Sequence, residues 1–193
     1  MRHSARNAFA GLVVALLATT AAAEPERYVF DPNHTAPSFE IGHIGFSVQR
    51  GFFARSRGSV TLDRATGKGE LSVEIDAGSV DTGLAVRDEM LRTDRFGFLD
   101  VARHPTISFK AGSFDFNGAQ LSRVSGELTI KGKTRPVVLE LMSFRCGPHP
   151  ASKKEMCGGD ARTQINKSDF GEFGGGMLGE QIRIAVQFEA YRE

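Results

Sequence analysis

Arg87 and Asp88 form the polar dipeptide of this chain with the most chemical promise. A guanidinium offers a planar fork of donors that suits a phosphate or quinone oxygen, and the neighbouring carboxylate can orient it. The same pair can equally tie one element to another through structural hydrogen bonds. His43 carries the same two readings, contact with a ligand head group or a partner within a bent strand. The histidines sit singly, and His34 and His43 have no spacing that places them on one metal ion. Asp169-Phe170-Gly171 spells a kinase tripeptide, but a glycine-rich phosphate loop, a strand lysine and a catalytic loop are all missing. It reads instead as a strand end and turn. No Gly-x-Ser-x-Gly elbow occurs either, so the chain is read as a binding protein and not an enzyme, with no catalytic residue, cofactor or metal assigned. A cryptic hydrolase or isomerase stays the third reading, because triad partners need meet only in space.

The two cysteines, Cys146 and Cys157, lie in one loop, CGPHPASKKEMC. In an oxidising compartment they would pair, and closing so short a loop stabilises by about 3 kcal/mol on the chain-entropy model. Zinc is the rival reading. The spacing matches no common zinc motif, and only His149 lies nearby.

Export is expected from the N-terminus. Arg2 and Arg6 precede an apolar run over residues 9–17, and Ala21 and Ala23 supply the small residues of a cleavage site. The run is too short to span a bilayer. The expected domains are therefore a signal peptide over 1–23, cleaved near Ala23, and one folded unit over 24–193 in the periplasm. About 170 residues is an ordinary size for one core. With 24 Lys and Arg against 23 Asp and Glu, the net charge of +1 gives no electrostatic reason to expect nucleic acid or an anionic membrane surface.

The elements that must position these residues are almost all strands. Residues 38–43, 70–76, 105–110, 124–130 and 182–188 alternate apolar and polar side chains, and Asn117-Gly118 and Lys131-Gly132 mark turns. Ile44, Phe46 and Val48 continue the first alternation out of phase, which predicts a bulge or kink at Gly42-His43. Residues 79–109 alone break the pattern. Asp81 or Thr82 can cap a helix there, Leu84, Asp88 and Leu91 recur at helical spacing, and Pro105 closes the insertion. The fold class that follows is all-β: about eight antiparallel strands, a sandwich or a barrel, with one short helical insertion as a flap over one mouth. Eight strands make a barrel just wide enough for one small ligand.

Asp31-Pro32-Asn33-His34 is followed by an alternating strand with His43, then Gly51 and Phe53. Next come the Arg-Asp pair and a His-Pro before a strand, then Gly126-Glu127-Leu128-Thr129 with Gly132 and Thr134, then residues 166–171. The order of these blocks resembles the YceI-like family of exported polyisoprenoid-binding proteins. Met90 stands where the family usually has histidine after Arg-Asp. The resemblance implies an antiparallel lipocalin-like β-barrel, a homodimer, and a ligand that is an isoprenoid lipid, quinone or other long-chain amphiphile. On that reading Phe39, Ile41, Phe46 and Phe96 line the cavity together with Phe98, Ile107, Phe109 and Leu128. His43, Arg87 and Asp88 would meet the polar head. The alternative class is a filled barrel that acts with a membrane redox partner such as a cytochrome.

Overall fold

The computed structural model of the protein describes residues 25–64 and 66–193; the leader expected over 1–23 lies outside them. The strands are β1 (Glu26–Phe30), β2 (Ala36–His43), β3 (Ser47–Phe53), β4 (Ser56–Asp63), β5 (Lys68–Asp76) and β6 (Val80–Asp81). After helix α1 (Ala85–Arg92) follow β7 (Thr106–Asn117), β8 (Gln120–Ile130), β9 (Lys133–Pro148), β10 (Glu155–Asn166) and β11 (Leu178–Arg192). All pairings are antiparallel. Strands β1, β4, β5, β7, β8, β9, β10 and β11 form a closed ring of eight, sealed where Tyr28 opposes Arg192 and Phe30 opposes Ala190. The barrel reading therefore holds over the sandwich. Closure removes the exposed edges that an open sheet of this length would present.

The ring's first strands are prolonged past it. β2 carries on along β11 above β1, β3 pairs with β2, and β6 pairs with β3. The barrel thus has one end where the 44–46 hairpin, α1, and the loops after β8 and β10 gather, called here the flap end. The hairpins after β4, β7 and β9 gather at the other end. The inward rows are those that alternation predicts, such as Leu71 and Ile75 on β5 and Val124, Leu128 and Ile130 on β8, all buried.

Two local expectations are corrected. The chain does not bulge at Gly42-His43 and run on; it turns back. Phe46 N donates to His43 O at 3.0 Å, and Ile44 and Gly45 sit at φ 44° and 76°. Reversing direction, and not a bulge in β2, is what shifts the phase: Phe53 faces inward with Phe39 and Ile41, whereas Phe46 faces out. The ladder irregularity lies instead on β11, between Leu178 and Ile182. Helix α1 is capped by neither Asp81 nor Thr82, since its N-cap residue is Leu84 and no side chain bonds there.

Candidate functional site

The inward faces leave one cavity of about 240 Å³. Leu91, Phe98 and Phe173 line it beneath the flap, and Leu121, Phe144 and Cys157 line it at the opposite end. Between them, two phenylalanine rings lie flat across glycines. A Cβ on Gly51 would stand 2.6 Å from Phe39 Cζ, and one on Gly126 would stand 2.8 Å from Phe109 Cζ. The side chain each glycine lacks is replaced by the ring of a neighbour, which covers the backbone and still leaves room in the bore. Among the described residues, Arg64 is the one charged side chain on the lining. An apolar cavity of this kind stays dry when empty and receives apolar chains.

Of the residues expected on the lining, Phe39, Ile41, Phe98, Ile107, Phe109 and Leu128 are there. Phe46 and Phe96 are not. Phe46 stands at the hairpin tip, 91% exposed, because the chain reversed before it. Phe96 lies in a short 3₁₀ turn at φ 56°, which sets its ring edge-on to Phe98 at 6.4 Å, outside the lining, and leaves it 46% exposed. Apolar character alone does not tell an inward ring from one on a turn.

The three polar candidates are not assembled into one site. Asp88 is buried, and its Oδ1 accepts hydrogen bonds from Thr82 N at 2.8 Å and Thr82 Oγ1 at 2.7 Å. That carboxylate fixes the chain entering α1. Arg87 is half-buried, and its guanidinium meets no hydrogen-bond or carboxylate partner among the described residues. His43 ends β2 opposite Ser47 and Leu178, outside the lining. Cys146 and Cys157 are joined as directly opposed residues of β9 and β10, so neither thiolate is free for zinc.

The residues that hold the flap were not legible beforehand. Arg92 donates to Gly78 O at 2.9 Å and Val80 O at 3.1 Å, which binds α1 to the strand before it. Lys131 Nζ bridges Gly97 O at 2.5 Å and Glu172 O at 3.2 Å. Burial lowers the Lys131 ammonium from its ordinary value. Lys167 Nζ gathers Phe173 O, Gly175 O and Leu178 O at 3.1, 2.5 and 3.0 Å. Three cations thus satisfy carbonyls that irregular loops would leave orphaned. The only signal available was a basic residue in each flap-end loop, and its partners lie up to 41 residues away.

The opposite end is built from side chains. Arg64 Nη2 donates to Tyr28 Oη at 2.7 Å, rests 3.2 and 3.3 Å from the two cystine sulfurs, and lies 3.3 Å from Glu26. Tyr28 in turn donates to Glu26 at 2.9 Å. Burial, then that carboxylate, raises the phenol above its usual value and keeps it protonated. Halfway along, Asp31, His34 and Glu189 gather within 4.8 Å of one another, with His34 Nδ1 2.8 Å from Asp31. They brace the break between β1 and β2 against β11.

A YceI-like domain model matches residues 28–190. Protein YceI of Salmonella arizonae is 33% identical over 168 residues, 86% of each chain. Among solved structures, the YceI protein of Campylobacter jejuni is 25% identical with a TM-score of 0.66, over 79% of this chain and 90% of its own. BcnA of Burkholderia cenocepacia (TM-score 0.67, 20% identity, 83% and 98% covered) shares the fold. So does a polyisoprenoid binding domain from Saccharophagus degradans (TM-score 0.64, 16% identity, 86% and 98% covered). The barrel closed by β1 against β11, its flap after β6 and the match along nearly the whole described chain agree: this chain belongs to the YceI-like family.

Proposed function

We propose that this protein is a periplasmic carrier that sequesters or ferries an isoprenoid lipid, or a quinone-like amphiphile, with its tail in the barrel cavity. The observation that carries the reading is the bore itself, an apolar space about 240 Å³ in volume with one charged residue on its wall. A filled barrel, as the alternative interaction module requires, would leave no such space. The fold shared with a polyisoprenoid binding domain supports the same class of ligand.

The physical case is short. Each methylene kept in water costs about 0.8 kcal/mol, so a prenyl tail does not cross an aqueous compartment unaided. Tail burial alone soon exceeds the affinity that non-covalent complexes reach, near 20 kcal/mol. Selectivity must therefore come from the depth and width of the bore and from its few polar groups. Asp88 is engaged by Thr82 outside the lining, and on the lining itself Arg64 and Tyr28 are hydrogen-bonded to each other.

The test is organic extraction of the purified exported protein and mass spectrometry of the extract. A stoichiometric prenyl lipid or quinone is expected, and Ile107→Asp or Phe109→Asp should abolish it in a protein that still folds. An empty extract after incubation with isoprenoid quinones and polyprenyl phosphates would transfer the assignment to the module acting with a membrane cytochrome. N-terminal sequencing of the same sample checks cleavage near Ala23.

A further inference from the structure

Among the described residues ten large hydrophobic side chains are exposed, and only Val138 and Met142, both on β9, lie away from the flap end. Ile44 and Phe46 form the hairpin tip, 54% and 91% exposed; Val86 on α1 is 71% exposed; Leu84, Phe96 and Met177 are each near half. Val48 and Phe52 extend the same patch down β3. The loops that carry them form one rim, joined by backbone hydrogen bonds. Ile44 N donates to Met177 O at 2.8 Å, Met177 N to Gly174 O at 3.2 Å, and Gly174 N to Phe96 O at 2.7 Å. The rim stands directly above the part of the lining formed by Leu91, Phe98 and Phe173.

Two arginines among these side chains have no carboxylate partner among the described residues, while the rim acids Glu89 and Asp94 are paired with Arg92 and Arg103. Arg87, half-buried, follows the exposed Val86 on α1, and the Arg95 guanidinium stacks 5.0 Å over the Phe96 ring. Apolar tips flanked by long cationic side chains make an interfacial pattern, in which the tips enter the acyl boundary and the guanidinium groups stay at the phosphates. The opposite end shows no exposed large hydrophobic among the described residues.

The geometry points to this rim as a docking surface for an anionic lipid bilayer, flap end down. It extends the carrier reading and rests on that reading only for its purpose, the passage of a tail between bilayer and bore without exposure to water. A second copy of the chain fits less well. A two-fold interface sets the patch against the same patch of a second copy, which brings two further arginines to it, whereas anionic headgroups complement them.

The experiment is co-sedimentation of the full mature chain with vesicles of phosphatidylethanolamine and phosphatidylglycerol, against pure phosphatidylcholine. The wild type should sediment with the anionic vesicles. Phe46→Ser with Val86→Ser should weaken the partition about tenfold, with an unchanged melting temperature. Arg87→Gln and Arg95→Gln should each cost about fivefold at low salt, a difference that fades as salt screens it. Met142→Ser, an exposed apolar change outside the rim, should do nothing. A wild type that stays in the supernatant, or a Phe46→Ser/Val86→Ser protein that sediments unchanged, overturns the proposal. A solution dimer that this double variant dissociates reassigns the rim to a second copy. Vesicle binding by a protein whose extracts are empty would leave docking intact and end the carrier reading; the converse result would end docking alone.

Discussion

The two ends of this barrel are closed by different chemistry. At the end bearing the cystine, side chains hold side chains: Arg64 spans Tyr28, Glu26 and both sulfurs, and Arg192 adds a second cation 3.2 Å from Glu26. At the flap end, side chains hold backbone, with Arg92, Lys131 and Lys167 donating to carbonyls of loops that have no ladder of their own. Backbone strain follows the same division. Of the five non-glycine residues at positive φ among the described residues, Ile44, Phe96, Asp100 and Lys131 lie at the flap end and Lys153 at the other. Strained positions persist where surroundings over-determine them, and they gather where a structure must change state. One end is a stopper and the other a cover of loops and one short helix.

The sharpest way to break that contrast is to remove the stopper. Cys146→Ala with Cys157→Ala should cost about 3 kcal/mol of unfolding free energy, measured by denaturant titration. Vesicle binding should be unaffected, since the rim lies at the other end. A loss of vesicle binding would mean that the ends are coupled and the contrast is false. At the cover, Asp88→Ala leaves Thr82 N and Oγ1 without their acceptor, at about 2 kcal/mol. Hydrogen exchange should then quicken over residues 82–92 and not across β9 and β10. Uniform acceleration would show that α1 is not a separable element.

The smallest effect lies between the ends. The Asp31 carboxylate raises the His34 pKa above its ordinary 6.5, first by hydrogen bond and then by charge. The same hydrogen bond, with a second from Asn33 N, lowers Asp31 below 3.8. A raised histidine stabilises fully below 6.5 and loses that contribution as pH rises through its folded value. A lowered aspartate stabilises above 3.8 and loses it as pH falls through its folded value. The pair therefore adds stability mainly between about pH 4 and 6.5. Asp31→Asn should flatten the melting temperature over that window and leave it almost unchanged at pH 8. An equal drop at both pH values would show that the bracing is not ionic.

Much of the fold was legible because it rests on alternation and turn chemistry. The rows ending in Ile75, Phe109 and Ile130, the Asn117-Gly118 and Lys131-Gly132 turns, the stop at Pro105 and the cystine all stand where residue types place them. The site was legible only in part. Phe46 leaves the bore because the chain reverses at Ile44-Gly45, and a phase change beside a glycine marks a turn as readily as a bulge or kink. Arg64 lay in an ordinary hairpin turn, with nothing local to mark it as the charged group of the lining.

Side-chain alternation, turn residues and cysteine spacing act over a few positions, and so strand content, turn sites and the cystine were decided by composition along the chain. Which end of the bore is sealed, and by what, depends on partners that only the tertiary fold brings together: Arg64 meets sulfurs 82 and 93 residues away, and Lys131 meets a carbonyl 34 residues back. The ring itself rests on closing β1 on β11, a pairing between the two extremes of the fold that no local pattern encodes.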